Sequence, residues 1–581
     1  MAHANGNGNG KAAPAAFPPP VDSQKEFVKH GLDDEDELIE VGVAIVGGGT
    51  AGLACANRLL QLLADDPETM ERLGEVPVAV IEKAKTCGGH NLSGAVMRPG
   101  PLQELFPDMS REDWRTEGFA FGEVTKEAVY MLPNGKRALK IPTPPPFKNH
   151  GNEVISVSAL ARFQQRQAEE GGAYILTETS ATQLIVEDGR AVGVRSGDKG
   201  RGKQGEPLSN FEPGTDIKAH ATVLAEGCWG SLTGAAIREF GLAEGAEPQT
   251  WELGVKEVWK VAKPLDRLIH TIGPWPVSLN PKYGQIGGTW IYPMKNEKGE
   301  DLVSIGFVID LEYADATTSA HDLLQTFKLH PLVKKILEGG ERVAWGAKAL
   351  PGGGYWSMPK LTMPGALIVG DAAGMVDTVA LKGVHHCIRS GILAAEQIYK
   401  TLKAGGSDLS GFEQTVEESS IGKELWQVRN TRQPFQRGFL FGGPLVNLMI
   451  ATKGRFPGGR WGWHRNDDKP MFIGKTKDRY PKPDGKYTFD KLSSVFITGN
   501  ATRDDAPNHI RVQKRVAREV AETWVWMCPA GVYEIPEDAP ETGEVDVIVN
   551  YTNCVQCGAI TAKGGRLTTP EGGDGPLYQI T

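Results

Sequence analysis

The sequence predicts a mixed fold, α/β in one part and α+β in another, built on an interrupted Rossmann-like unit that takes a dinucleotide. Three observations predict it. Residues 41–46, Val-Gly-Val-Ala-Ile-Val, form a short apolar run that leads directly into Gly47-Gly48-Gly49-Thr50-Ala51-Gly52. Two further strand-to-glycine turns come far later, at residues 221–227 and 365–374, so the unit is assembled from distant pieces. Between them, apolar residues alternate over 251–261 and 302–309, which reads as an inserted antiparallel sheet.

Residues 1–20 are rich in Gly, Asn, Ala and Pro, with no apolar run and no Arg. This excludes a secretory signal and argues against a mitochondrial transit peptide, and a disordered tail is expected over 1–37. The run 41–46 is a buried strand, and 51–64 has helical composition and spacing. Gly47, Gly49 and Gly52 permit a tight turn, close approach of a pyrophosphate and close helix–strand packing, with the helix N-terminus facing the phosphates. Residues 78–82 read as a second strand ending in Glu82, an acid placed to bind a ribose. The stretch 65–77 reads as an insertion, because Glu82 lies beyond the usual spacing of about 20 residues from the glycines.

The segment 365–374 is a strand ending in Gly370-Asp371 before small residues. An Asp there suits the ribityl chain of FAD, beside a helix N-terminus that favours a negative flavin end. The segments 221–227 and 365–374 favour FAD over NAD, and with no second glycine fingerprint there is no evident separate nicotinamide domain. Pro-rich and Gly-rich connections at 142–146 and 351–354 mark the interruptions.

Hydrophobic residues make up 40% of the 581, charged residues 23%, and the net charge is −9. These are values of an ordinary globular protein, and no strong positive field favours nucleic acid. Seven cysteines imply no disulfide framework. Cys55, Cys87, Cys228 and Cys387 read as small buried apolar residues, whereas Cys528, Cys554 and Cys557 cluster near the end, where a tetrahedral iron–sulfur site wants four thiolates. Residues 438–450 are apolar yet too short to span a bilayer, and Lys453, Arg455, Phe456, Arg460, Trp461, Trp463 and Arg465 follow. That pattern suits a membrane interface, or a buried helix followed by a solvated basic loop.

Over roughly 40–581 the chain resembles the electron-transfer flavoprotein–ubiquinone oxidoreductase family. The resemblance rests on His90-Asn-Leu-Ser-Gly-Ala95, Asn149-His-Gly-Asn152, Gly287-Gly-Thr-Trp-Ile-Tyr292 and Lys382-Gly-Val-His385. It rests equally on Tyr480-Pro-Lys-Pro-Asp-Gly485, Cys528-Pro-Ala-Gly-Val-Tyr533 and Pro570-Glu-Gly-Gly573. It implies a glutathione-reductase-like FAD domain over 38–98, 154–235 and 355–434. It further implies a membrane-facing quinone domain over 99–153, 236–354 and 435–500, and a ferredoxin-like iron–sulfur domain over 501–581. The implied activity is that of an electron-transferring-flavoprotein dehydrogenase. Electrons pass from reduced electron-transfer flavoprotein through FAD and an iron–sulfur cluster to a membrane quinone, ubiquinone or menaquinone, at the cytoplasmic face of a bacterial membrane. By the same resemblance Ser93, Gly94, Gly383 and Val384 join Gly370 and Asp371 at the FAD, Gly287 and Gly288 lie at the quinone headgroup, and Cys528, Cys554 and Cys557 hold iron.

Two departures stand out. The family commonly has Lys-Gly-Thr-His where Val384 stands here, so a hydroxyl that could bond the flavin is missing. The family continues Cys-x-x-Cys-x-x-Cys, and its last position is Ile560 here. A four-iron cluster with one non-cysteine ligand, a three-iron cluster and an empty remnant all stay open. An alternative function is an FAD-dependent reductase or monooxygenase acting on an apolar isoprenoid-like substrate, which would not need the C-terminal thiols. A docking or assembly protein with a vestigial ferredoxin module is a third.

Overall fold

Leu38–Val46 forms the centre of a nine-stranded sheet, buried over 41–46, in a computed structural model that describes residues 26–33, 38–278, 280–296, 298–437, 439–462 and 470–581. It lies parallel between Asp216–Leu224 and Val78–Ile81, and Ala366–Ile368 adds parallel to Asp216–Leu224. Helix Thr50–Ala64 follows the fingerprint and buries Leu53, Leu59, Leu60 and Leu63. Helix Val384–Lys403 crosses it at Gly391, where a Cβ would lie 2.3 Å from the Ala51 oxygen. Segment 65–77 contains the extra helix Pro67–Arg72, started by Pro67 and capped by the Asp66 carboxylate, which accepts from the Thr69 N–H at 3.2 Å.

The expected tail is shorter than 1–37. Val28–His30 is a strand parallel to Ala181–Glu187, Phe27 is buried, and Lys29 and Arg195 both pair with the buried Asp216 carboxylate. The strand's partner lies some 150 positions along the chain, so no local pattern marks it. Residues 1–25 and 34–37 lie outside the described residues.

The inserted sheet has seven strands, in the order Glu341–Pro351, Trp251–Lys260, Asp301–Asp310, Gly287–Lys295, Leu268–Ile272, Glu127–Asn134, Arg137–Ile141. All its pairs are antiparallel except Leu268–Ile272 with Glu127–Asn134. One face is stitched by Glu257, which takes the Lys328 ammonium at 2.7 Å and the Trp259 indole N–H at 2.7 Å. Leu253, Val255, Ile305 and Phe307 from the sheet share one apolar cluster with Trp524, Cys528, Tyr533, Cys554 and Ile560. The C-terminal part is built from helix Arg518–Met527 and two-residue and three-residue ribbons. Its last segment returns to the first sheet's layer, where the Tyr578 N–H donates to the Gly89 oxygen and the Ser158 hydroxyl to the Gln579 oxygen.

The apolar segment forms helix Phe439–Ala451. Val446 and Met449 are buried, while Phe441 and Leu448 are each 48% exposed, so the helix is half embedded. Among the described residues no helix is long and apolar enough to cross a membrane. Arg460, expected to face lipid, is exposed but paired with Glu247 at 2.8 Å, and Lys453 and Arg455 are exposed just after the helix. Trp463 and Arg465 lie outside the described residues.

Candidate functional site: a cavity with three walls

The C-terminal ends of Leu38–Val46 and Asp216–Leu224 open into a cavity of about 320 Å³. Its first wall is the fingerprint. Gly47 turns at φ +109°, and a Cβ there would lie 2.4 Å from the Ala225 oxygen. A Cβ on Gly52 would lie 2.1 Å from the Gly47 oxygen, so Gly52 sets the helix against the turn, as its predicted packing role requires. Gly49 is the N-cap of the following helix and provides no side-chain cap. Its Cβ position faces only Asn91, at 3.6 Å, so the first-turn N–H groups are left open for an anion.

Glu82 ends the second strand on this wall and is buried. Its two oxygens accept from the Gly48 and Ala84 backbone N–H groups, each at 2.7 Å. It thus anchors the fingerprint loop as well as presenting a carboxylate to the cavity. Asp371 lines the far end, and burial pushes its carboxyl up. The Cys387 thiol donates to it at 3.4 Å. Gly370 does not line the cavity. It turns at φ +64° and donates its N–H to the Ser390 hydroxyl, aiming Asp371 inward. Gly383 and Val384 line the cavity at the uncapped N-terminus of the helix Val384–Lys403.

The second wall comes from the inserted sheet: Glu252, Gly254, Trp290, Tyr292, Val308 and Lys348. Ser93 and Gly94 line the cavity from the loop after the second strand, and a Cβ on Gly94 would press the Trp290 indole at 3.0 Å. Gly287 and Gly288 do not line it. They open the strand that delivers Trp290 and Tyr292, and a Cβ on Gly288 would meet nothing within 4 Å.

The third wall is C-terminal: His509, Gln556, Gly558 and residues 567–570. Gly558 turns at φ +85°, and a Cβ there would lie 2.5 Å from the Trp229 ring. The Cys557 oxygen accepts from the Ala349 N–H at 2.9 Å, and the Lys348 ammonium donates to the Gln556 oxygen at 3.3 Å. The cysteine loop is therefore fastened to the inserted sheet at the cavity edge.

Four buried polar atoms on these walls have no partner: His90 Nδ1, Trp229 Nε1, His509 Nε2 and Gln556 Oε1. Buried orphans are costly, and their gathering round one cavity fits a large polar ligand such as FAD. None of these four was singled out from sequence as a site residue, although His90 opens one of the motifs that carry the resemblance. Cys228 and Cys387, expected to be inert core residues, also line the cavity. Their place depends on strand ends brought together from distant segments.

At the cysteine loop, the Cys528 sulfur accepts from the Val532 N–H at 3.5 Å and the Cys554 sulfur from the Gln556 N–H at 3.4 Å. Burial, and then the nearby Cys528 thiol, push the Cys557 thiol up to about 12, a cost that iron ligation would offset by removing the proton. Among the described residues, the His, Cys, Asp or Glu trio gathered within 4.8 Å is His385, His386 and Glu424, not the thiols. The three sulfurs are thus spaced more widely than the ligands of one ion, which fits a cluster between them. Ile560 is buried in their apolar surround, so the donor set fits three corners and offers no thiolate for the fourth. At the His trio, the Glu424 oxygen that meets His385 and His386 also takes the Arg98 guanidinium. That cation already supplies the countercharge a metal would bring.

Comparison with known proteins gives a consistent picture. A family model described as ETF-QO, ubiquinone-binding, matches residues 251–350, and one described as electron transfer flavoprotein-ubiquinone oxidoreductase, 4Fe-4S, matches residues 485–579. The mitochondrial electron transfer flavoprotein-ubiquinone oxidoreductase of Caenorhabditis elegans is 34% identical over 92% of this chain and 91% of its own. The Pseudomonas aeruginosa protein of that name is 35% identical over 94% of this chain and 99% of its own. A solved geranylgeranyl bacteriochlorophyll reductase-like protein of Thermoplasma acidophilum shares the fold, with a TM-score of 0.52, 19% identity, and coverage of 72% of this chain and 92% of that one.

Glu82→Ala removes both backbone anchors and the carboxylate expected to meet the ribose. The expected loss is about 2 kcal/mol of FAD affinity, roughly thirtyfold, read by flavin release on dilution. Unchanged retention would show that Glu82 serves the loop alone.

Proposed function

The chain belongs to the electron transfer flavoprotein–ubiquinone oxidoreductase family, and from that premise we propose how its own residues divide the work. It is an oxidoreductase that carries electrons from reduced electron-transfer flavoprotein, through FAD and a 4Fe-4S centre, to a quinone. One observation supports the division most directly. The fingerprint cavity is walled on its other sides by residues from within both matched segments, 251–350 and 485–579.

FAD, when bound, supplies the exchange of electrons with the iron–sulfur centre and the quinone. Gly47, Gly49 and Gly52 admit its pyrophosphate to the open N–H groups of helix Thr50–Ala64, and Glu82 holds the ribose. Asp371, turned inward by Gly370, takes the ribityl chain. Ser93, Gly94, Gly383 and Val384 face the flavin. Val384 offers it no hydroxyl, so one polar contact of the family is lost here. Trp229 and the loop at Gln556–Gly558 exclude water between cavity and cluster. Cys528, Cys554 and Cys557 hold three corners of that cluster, and the fourth corner is labile because Ile560 provides no ligand. At the start of their strand Gly288 leaves space for a quinone headgroup, while Gly287 lets the backbone pass close to the Val308 carbonyl. In this division the FAD part comprises 38–98, 154–235 and 355–434, the quinone part 99–153, 236–354 and 435–500, and the iron–sulfur part 501–581.

The half-embedded helix Phe439–Ala451 rests on a bilayer surface, with Phe441, Leu448 and Phe456 towards the acyl chains and Lys453 and Arg455 at the phosphates. This is a peripheral site on the cytoplasmic face of a bacterial membrane, where either ubiquinone or menaquinone serves as acceptor. An isoprenoid-directed reductase or monooxygenase would leave the three thiols and their cavity-facing loop without a purpose.

Purified holoenzyme supplied with reduced electron-transfer flavoprotein should reduce a short-chain quinone and should not oxidise NADH. Quinone-independent NADH oxidation would contradict the assignment. Replacing Leu445 and Leu448 with Glu should abolish most liposome binding while FAD stays bound, and raised salt should weaken the part due to anionic lipid. Loss of FAD together with unfolding would instead make the helix part of the core.

A further inference from the structure

Lys256 is fully buried, at 0% exposure, in the middle of strand Trp251–Lys260. Its ammonium nitrogen donates to one partner, the backbone oxygen of Ser93, at 2.8 Å. An ammonium carries three donors, and burying it without a carboxylate costs several kcal/mol. Its neighbour Glu257 brings no relief. Strand alternation turns Glu257 to the opposite face, where Lys328 and Arg342 hold it at 2.7 and 3.6 Å.

Sheet register shows what surrounds the lysine. Gly346, Lys256, Gly306, Trp290 and His270 stand side by side across five strands, on one face. The residues flanking Lys256 are both glycines. A Cβ on Gly306 would lie 2.1 Å from the Trp290 ring, and one on Gly346 would lie 2.3 Å from Leu92 and 2.9 Å from the Tyr578 ring. The missing side chain at Gly346 lets Leu92, and with it the loop through Ser93 and Gly94, sink onto the sheet beside the lysine, and the one at Gly306 lets the Trp290 ring lie across the strand. On one side is the cavity, lined by Trp290, Ser93 and Gly94. On the other is Tyr578, whose hydroxyl is pushed up by burial and by the Cys557 and Cys554 thiols.

We propose that Lys256 is a redox-linked proton acceptor, drawn from neutral amine towards ammonium countercharge behind the Ser93–Gly94 loop when an electron arrives at the flavin. This rests on the functional reading above, which puts that loop against the flavin. The electron comes from the reduced partner flavoprotein and the proton from solvent. The amine lone pair forms the new N–H bond, so the pocket gains no net charge. When the electron moves on, that bond breaks and the proton leaves, in a reaction where each quinone takes up two electrons and two protons.

Burial alone brings the Lys256 ammonium down to about 7, where small changes in nearby charge switch it. The titratable groups facing this side from the packed elements are His270, Tyr292, Tyr578, Lys348, Glu252, Asp310 and His90. Burial keeps His270 and His90 neutral, with His270 down to about 3, and pushes the Tyr292 hydroxyl up. Lys348 lies two positions along the neighbouring strand from Gly346. Burial pushes Glu252 up to about 7, and Arg432 holds both it, at 3.0 Å, and Asp310. None places a negative charge against Lys256.

The test measures the flavin midpoint potential of holoenzyme between pH 6 and 9, for wild type, Lys256→Met and Lys256→Arg. At pH 6 to 7, Lys256→Met should hold about tenfold less reduced flavin at a fixed potential, equivalent to 59 mV for one electron. Its potential should also fall less steeply with pH than that of wild type. Lys256→Arg, permanently charged, should restore the potential without restoring the steepness. Equal potentials and slopes in wild type and Lys256→Met, at equal FAD and iron content, would overturn the proposal. Should Lys256→Met fail to fold, identical pH profiles of wild type and Lys256→Arg would overturn it. Quinone turnover of the wild type checks the functional reading separately, so an active wild type with unshifted variants counts against this inference alone.

Discussion

At Gly47 the fingerprint loop passes the strand end at Ala225 with room for no side chain: a Cβ would lie 2.4 Å from a carbonyl oxygen. That close passage joins the centre of the first sheet to the turn after Asp216–Leu224, and it aims an uncapped helix N-terminus at the space between them. Glu82 then fixes the loop from the other side through two backbone N–H groups. The remaining walls of the cavity can only be placed once this turn exists. Trp229 follows directly from the Ala225 turn, and the Trp229 ring is what Gly558 of the cysteine loop must clear. A side chain at Gly47 or Gly52 would therefore displace the cluster loop as well as the dinucleotide.

Charge is managed in opposite ways on the two faces of the inserted sheet. Glu257, Lys328 and Arg342 form a closed buried network, which makes that face rigid and electrically quiet. The opposite face carries Lys256 with a single neutral acceptor. Burying an uncompensated amine there costs stability, and that cost falls behind the cavity wall formed by Ser93, Gly94 and Trp290. The cavity's unpartnered histidine, tryptophan and glutamine atoms belong to the same pattern, in which local stability is given up where a cofactor restores it.

Much of this was legible in the sequence because it is local. A strand, a glycine turn and a helix lie within 25 residues, and the helix Thr50–Ala64 starts within one residue of its expected position. The inserted strands were legible from alternation, and the resemblance to the family marked the departure at Ile560. What was not legible depends on distant partners. Val28–His30 becomes a strand only because Ala181–Glu187 leaves an edge for it. Cys387 reads as a core thiol until helix Val384–Lys403 is set against Asp371. Lys256 in an alternating strand reads as a solvent-facing residue. Only register shows that glycines on the two neighbouring strands admit the Leu92 loop and the Trp290 ring beside it.

In the proposed route, electrons pass through iron held by the thiolates of Cys528, Cys554 and Cys557 at the edge of the cavity proposed for FAD. The most direct measurement is electron paramagnetic resonance with iron, sulfide and FAD analysis on anaerobically purified protein. The expected result is stoichiometric FAD together with a four-iron signal that mild oxidation converts to a three-iron one, as a corner without a cysteine ligand requires. Stoichiometric FAD with no iron or sulfide would contradict it, and electrons would then have to reach the quinone from FAD alone.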